Sequence, residues 1–111
     1  TKKDTAGIAI DFMQQHITGK LTLHEMAAHV NLSASHFAAV FQKATGFAPI
    51  EYFNHLKIQR ACQHLQFTDD RIKEISAAIG IEDSYYFSRL FKKMIGMSPA
   101  LYRKRLINAN N

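Results

Sequence analysis

One pattern of residues occurs twice in this chain of 111 residues and limits the possible folds more than any other feature. Residues 46–53 are GFAPIEYF and residues 96–103 are GMSPALYR, so each copy has Gly, then Pro three positions on, then Tyr three further on. The segments before the two copies match as well. MAAHVNLSASHFAAVFQKAT overlays on ISAAIGIEDSYYFSRLFKKMI, which places Phe37 on Phe87 with one extra residue in the second turn. The chain therefore repeats one structural unit.

Each repeated unit has the pattern of a helix-turn-helix. Apolar residues recur at spacings of three and four almost throughout the chain, which predicts an all-α fold of seven helices. In each unit a short helix is followed by a tight turn and a longer helix that ends at a glycine. We predict a first helix-turn-helix subdomain over residues 1–48, a linker helix over residues 49–67 and a second helix-turn-helix subdomain over residues 68–111.

Local signals predict where several helices begin. Thr22 and Glu25 form a capping-box pattern, and Pro49 suits the first position of a helix. Asp69 and Asp70 favour the start of the fifth helix, because negative charge is stabilised at a helix N-terminus. The linker helix, with about 18 residues at ~1.5 Å per residue, would be roughly 27 Å long.

Positive charge is concentrated in the C-terminal part of the chain. The net charge is +5, from 14 basic and nine acidic residues. Residues 1–70 contain six of each sign, whereas residues 71–111 contain eight basic and three acidic residues and account for the whole excess. A basic end of this kind is typical of a protein that binds an anionic partner such as nucleic acid, but a solvated surface has the same composition.

The longer helix of the second unit has a polar and basic face. At ~100° per residue its apolar side chains fall on one side and leave this face opposite them. Arginine can bond guanine at two atoms and hydroxyl groups can bond several bases, so the first half of the face is predicted to contact base edges. The lysines further along are predicted to contact phosphates, which position a protein without specifying sequence. The face contains Tyr85, Ser88, Arg89 and Lys92, with Lys93 on its flank.

The matching face of the first unit is nearly neutral. Two alanines at its centre can offer only apolar contact, for example with a thymine methyl group. Recognition of sequence by this unit is therefore predicted to be weaker than recognition by the second unit. The face contains Ser35, Ala38, Ala39 and Gln42, flanked by His36 and Lys43.

Three segments resemble the AraC/XylS family of bacterial transcription regulators. They are YYFSRLFKKMIGMSPALYRKR, the segment IKEISAAIGIED before it, and LKIQRACQHL, which is similar to the helix that joins the family's two helix-turn-helix units. The chain departs from the family pattern at Ser76, where Ala is usual, and at Ile81, where Phe is usual. We expect small adjustments of packing at both positions.

The resemblance implies a seven-helix domain that binds double-stranded operator DNA in a cytoplasmic bacterial regulator. Two recognition helices, about residues 34–45 and 84–95, are expected to enter successive major grooves, which lie about 34 Å apart. RNA polymerase is an expected partner, and any dimerisation is expected to use an N-terminal domain outside this chain. The family's base-contacting positions fall on Ser35, Ala38, Ala39, Ser84, Tyr85, Ser88 and Arg89. We predict phosphate contacts from His36, Gln42, Lys43, Lys92, Lys93, Arg103 and Lys104.

Other functions have weaker signals. The segment HEMAAH, residues 24–29, is close to a zinc-protease motif, but its histidines are five positions apart and therefore ~140° apart around a helix. No nucleophile has a base and an orienting group in view, so we expect no enzyme activity, cofactor or metal. The single cysteine, Cys62, suits a reducing compartment, and no run approaches the ~20 apolar residues of a membrane span. The alternative is a helical protein-interaction module with a basic face for an acidic partner.

Overall fold

The computed structural model describes residues 4–109, and within that range it contains seven α-helices and no strand. This confirms the predicted all-α class and the number of helices. The chain forms two compact units, and the division between them falls inside the fourth helix, between Leu56 and Lys57. The helices are α1 (Thr5–Gln15), α2 (Leu23–His29), α3 (Ala34–Thr45), α4 (Pro49–Phe67), α5 (Ile72–Ala78), α6 (Ser84–Ile95) and α7 (Pro99–Ala109).

The first unit is built around the apolar faces of α1, α2 and α3 and the N-terminal half of α4. Phe37 and Phe41 of α3 are fully buried, and Phe53 of α4 is 3 % exposed in the same core. Burying a side chain of this size contributes about 1.5–3 kcal/mol. The predicted capping box is present, because Thr22 Oγ1 accepts from the Glu25 N–H at 3.1 Å and Glu25 Oε1 accepts from the Thr22 N–H at 2.9 Å.

The second unit repeats this arrangement with the C-terminal half of α4. Phe87 and Phe91 of α6 are fully buried, as Phe37 and Phe41 are in α3. They share a core with apolar residues of α4 and α5, namely Ile58, Ala61, Leu65, Ile75 and Ile79. The linker helix therefore contributes buried residues to both cores, Phe53 to the first and Ile58, Ala61 and Leu65 to the second.

The repeated glycines and prolines mark the junction after each recognition helix. Gly46 has φ 82° and Gly96 has φ 96°, so both end their helices in the left-handed region that glycine adopts without steric cost. Pro49 and Pro99 are then the first residues of α4 and α7, where the missing N–H removes no helical hydrogen bond.

The repeated tyrosines brace the recognition helices from the helix that follows. Tyr52 lies edge-on against Phe41, with ring centroids 5.4 Å apart, and Tyr102 lies edge-on against Phe91 at 5.5 Å. Edge-to-face pairs of this kind contribute about 0.5–1.5 kcal/mol beyond the area they bury. In the Gly–Pro–Tyr pattern, the glycine therefore ends the recognition helix, the proline begins the next helix, and the tyrosine packs that helix against the recognition helix.

Helix α5 begins two residues after the aspartate pair that was expected to favour its start. The backbone N–H of Asp70 donates to Thr68 Oγ1 at 3.2 Å, which holds the chain in a turn beyond α4. The helix begins at Ile72, where Glu74 Oε1 accepts from the N–H of Arg71 at 2.9 Å. The acidic residue that serves the N-terminus of α5 is therefore Glu74 and not the aspartate pair.

Candidate nucleic-acid interface

Helix α6 is held firmly at its N-terminal end. The carboxylate of Asp83 accepts hydrogen bonds from the backbone N–H groups of Tyr85 at 3.0 Å and Tyr86 at 3.1 Å. A capping side chain of this type stabilises a helix by about 0.5–2 kcal/mol. This cap fixes the first turn of α6, which carries two of the predicted base-contacting residues, Ser84 and Tyr85.

The side chains of α6 are divided between core and solvent as the helical projection predicts. Phe87, Leu90 and Phe91 are buried, while Tyr85 is 72 % exposed. Arg89, Lys92 and Lys93 are also exposed, and Ser84 and Ser88 are half-buried beside them. The outward face thus presents an aromatic ring, hydroxyl groups and three cations on one rigid element.

Arg89 and Tyr85 form a pair one helical turn apart. The guanidinium carbon of Arg89 lies 5.7 Å from the centroid of the Tyr85 ring. A cation within ~6 Å of an aromatic ring is attracted by its electron density, by about 0.5–1 kcal/mol at an exposed site. The pair favours one arrangement of the Arg89 side chain, so Arg89 would lose less side-chain entropy on binding a ligand.

Two buried polar side chains fix the turn before α6. Ser76 Oγ donates to the carbonyl of Ile81 at 2.5 Å, and the Ile81 N–H donates back to the carbonyl of Ser76 at 2.9 Å. Lys57, which is 4 % exposed, donates from its ammonium group to the carbonyl of Ile79. Burial lowers the pKa of Lys57 from 10.5 to about 8.

At Ser76 the structure shows a hydrogen bond in addition to the small packing adjustment that was expected. Its hydroxyl closes the turn between α5 and α6 through a hydrogen bond that alanine cannot make. The matching position of the first unit is Ala27, whose carbonyl accepts backbone hydrogen bonds from Val30 at 3.1 Å and from Leu32 at 3.0 Å in the turn before α3. The turn between α5 and α6 is therefore held by a side-chain hydrogen bond that the turn between α2 and α3 lacks at the matching position.

Helix α3 presents the neutral face that the sequence predicts. Ser33 caps it by accepting from the N–H of His36 at 3.2 Å. Ser35, His36, Ala39, Gln42 and Lys43 are exposed and Ala38 is half-buried. Lys43 is the one lysine or arginine in this helix, so α3 offers far less positive charge than α6.

Arg103 has a role inside the second unit that the sequence did not indicate. Its guanidinium donates three hydrogen bonds to backbone carbonyls around the C-terminus of α4: to Leu65 at 3.2 Å, Thr68 at 3.1 Å and Asp70 at 2.6 Å. A cation at this position is also stabilised by the negative end of the dipole of α4. Only two of its five N–H groups are left for a phosphate. Lys104, by contrast, is exposed.

The histidine pair of the HEMAAH segment does not form a site. His29 stacks on Phe12 of α1 with ring centroids 4.0 Å apart. Within residues 4–109 no group of three or more His, Cys, Asp or Glu side chains is placed to hold a metal ion. In the same range, no helix has both the length and the apolar composition to cross a membrane. Cys62 is half-buried against the second core, and burial raises the pKa of its thiol.

Comparison with known proteins identifies the domain. Residues 26–105 match the family model described as a helix-turn-helix domain. A regulator with an AraC-type DNA-binding domain, from Chromobacterium violaceum, has 25 % identity and a TM-score of 0.86 over 92 % of this chain and 91 % of its own. The chain belongs to the AraC-type helix-turn-helix family. This confirms the resemblance seen in the sequence, and the AraC-type family is one of DNA-binding domains and not of enzymes.

Two further proteins are similar to this AraC-type domain, one in sequence and one in fold. The MmsAB operon regulatory protein of Pseudomonas aeruginosa is 45 % identical over 95 residues, which are 86 % of this chain and 31 % of that protein. The DNA-binding domain of AdpA, solved in complex with a target DNA, shares the fold with a TM-score of 0.87 at 22 % identity, over 93 % of each chain. The chain spans about a third of the length of the curated relatives it matches.

The sequence alone missed two residues that position the recognition helix of this AraC-type domain. Lys57 lies four residues from both Phe53 and Ala61, on the buried side of α4, so a lysine at that point was a signal for a buried polar partner. Ser76 stood out as a departure from the family pattern, but its partner Ile81 became clear only from the turn geometry.

Proposed function

We propose that this AraC-type domain binds a specific sequence of double-stranded DNA and regulates transcription as part of a longer bacterial protein. The recognition helices α3 and α6 enter successive major grooves, and α6 makes most of the base contacts. Base edges are contacted by Ser35, Ala38 and Ala39 of α3 and by Ser84, Tyr85, Ser88 and Arg89 of α6. Phosphates are contacted by His36, Gln42, Lys43, Lys92, Lys93 and Lys104, with Arg103 limited to its two remaining donors.

One observation carries this proposal. The exposed Tyr85–Arg89 pair and the lysines beyond it lie on the outward face of a capped helix, in the second helix of a helix-turn-helix. Bidentate arginine is the commonest specific contact to guanine, and lysine suits phosphate. DNA binding also agrees with the complex formed by the AdpA domain, which has the same fold.

The length of the curated relatives supports a proposal about the full-length protein. Because the curated relatives are about three times as long, we expect a further domain to sense an effector and to mediate any dimerisation. RNA polymerase is the proposed protein partner, and a regulator of bacterial genes would act in the cytoplasm, where the DNA is.

A salt titration tests the proposed function. Duplexes are selected from a random pool, and the affinity of the domain for a selected duplex and for a scrambled one is measured by fluorescence anisotropy. We expect the selected duplex to bind more tightly by on the order of 10³-fold, with both affinities falling as salt rises. Failure to bind any duplex at low salt would reject the proposal in favour of a protein-interaction module with a basic face.

A further inference from the structure

One flank of α6 carries a surface depression, and two of the four residues that line it have no role in the proposed base and phosphate contacts. Tyr86, Arg89, Leu90 and Lys93 line an open depression with a volume of about 340 Å³. Its floor is the buried Leu90 and its rim carries the half-exposed Tyr86, with its hydroxyl group, and two cations. The depression therefore combines an apolar surface with donors of hydrogen bonds and positive charge.

These properties match a ligand that is anionic at one end and weakly polar at the other. A phosphate group would take the charge of Lys93 and a hydrogen bond from the Tyr86 hydroxyl. A sugar ring would cover Leu90. Arg89 is drawn toward Tyr85 on the outward face, so its guanidinium stays available for a base edge.

The position of the depression identifies where such a ligand comes from. At ~100° per residue, Tyr86 and Lys93 lie roughly 60–80° from the outward direction on one side, and Lys92 lies roughly 40° from it on the other. A helix is about 10–12 Å wide and the major groove about 12 Å, so both flanks of a recognition helix face the walls of the groove. Those walls are the sugar–phosphate backbones of the two strands.

We infer that the depression on α6 is a subsite for one sugar–phosphate unit of the DNA backbone. Tyr86 Oη and Lys93 Nζ donate to the same phosphate, and Leu90 packs against the adjoining deoxyribose. Lys92 contacts a phosphate of the opposite strand. The inference rests on the proposed function and adds Tyr86 and Leu90 to the DNA contacts.

Phosphates neutralised one at a time provide the test. A selected duplex is prepared with a single methylphosphonate, which removes one negative charge, at each position of both strands in turn. The affinities of the parent domain, Tyr86→Phe, Lys93→Met and the control Lys92→Met are then compared. All three side chains are exposed, so the variants keep the fold, which thermal unfolding verifies.

We expect Tyr86→Phe to lose about threefold to tenfold in affinity, the effect of one hydrogen bond. Lys93→Met should lower the slope of log K against log salt by about 0.9. Tyr86→Phe and Lys93→Met should both lose sensitivity to methylphosphonate at the same single position. Lys92→Met should keep its sensitivity at that position and should instead lose it at a position on the opposite strand.

Parent affinity and a parent methylphosphonate profile in both Tyr86→Phe and Lys93→Met would overturn the inference and leave the proposed function intact. If those variants bound DNA normally but failed to activate transcription, the depression would be a contact for an acidic protein, which also overturns it. A parent domain that bound no duplex would instead reject the proposed function itself.

Discussion

Two buried side chains show how single residues set the geometry of the candidate interface. Ser76 and Lys57 donate to the carbonyls of Ile81 and Ile79, on either side of the tight turn that leads into α6. A buried carbonyl that loses its partner is costly, because water cannot replace the bond. The direction in which α6 leaves the turn therefore depends on residues that never face DNA.

Replacing Ser76 by alanine should destabilise the domain. The change removes the hydrogen bond to Ile81, and we expect a loss of about 0.5–1.5 kcal/mol in the free energy of unfolding in urea. Ser35→Ala, at an exposed position of α3, is the matched control and should stay within about 0.5 kcal/mol of the parent. Equal stability of Ser76→Ala and the parent would show that the hydroxyl does not hold the turn.

Lys57 should make stability depend on alkaline pH. Its folded pKa, about 8, is below the 10.5 of an unfolded chain, because burial disfavours the charged form. Between these values the unfolded chain holds a proton that the folded chain has released, so the contribution of Lys57 to stability rises with pH. We expect this contribution to rise by about 1–3 kcal/mol between about pH 7 and pH 10.

The measurement is a difference between the parent and variants that cannot titrate at this position. Lys57→Met and Lys57→Arg should both lack the rise, even if their stabilities at neutral pH differ. The chemical shift of the Lys57 side-chain carbon next to the ammonium gives the folded pKa directly. A midpoint at the ordinary value of lysine would contradict the role of burial.

At the scale of elements, the left-handed glycines are the clearest determinants of where the recognition helices end. Nothing lies within 4 Å of the position that a Cβ would take on Gly46 or Gly96, so the cost of substitution is in the backbone alone. Gly46→Ala and Gly96→Ala should each lose about 1 kcal/mol of stability or slightly more, since an L-residue is strained at these φ values.

Gly19→Ala is the control for this pair. A Cβ there would lie 3.8 Å from the carbonyl oxygen of His16, an ordinary contact, and alanine reduces the freedom of the unfolded chain. We expect this variant to be as stable as the parent or more stable in the same urea titration. Loss of stability at Gly19 equal to that at Gly46 would argue against a specific left-handed requirement.

The elements also show what could be predicted from sequence and what could not. The capping box at Thr22, the helix start at Pro49 and the stop at Gly96 were predicted correctly, because each signal acts within a few residues. The bond from Lys57 to Ile79 spans 22 residues and that from Arg103 to Leu65 spans 38. Contacts of this range depend on how helices pack, which no local pattern specifies.

At the scale of the whole molecule, the two units are similar in architecture and unequal in chemistry. Both bury paired phenylalanines and end the recognition helix, α3 or α6, at a left-handed glycine. Only α6 combines an arginine with two lysines on its outward side, while α3 presents Ala38 and Ala39. The outward faces could be predicted because helical periodicity separates apolar from polar positions. The contact between Tyr85 and Arg89 could not, because it depends on the conformations of the two side chains.

This inequality leads to an account in which α6 is responsible for most of the sequence recognition. Alanines can distinguish bases only through apolar contact, while one bidentate arginine discriminates against the wrong base by about 1–3 kcal/mol. The operator should therefore have one half-site that tolerates substitution and one that does not. Direct contacts and DNA shape make different predictions here, because a shape effect would not depend on Arg89.

The most direct test is a scan of single base-pair substitutions across a selected duplex, with affinities measured for the parent and for Arg89→Ala. We predict that the largest penalties, about 1–3 kcal/mol, lie in the half-site under α6. Arg89→Ala should weaken binding by a similar amount and abolish the preference at one base pair there. Penalties as large under α3, or a variant that keeps every preference of the parent, would contradict the account.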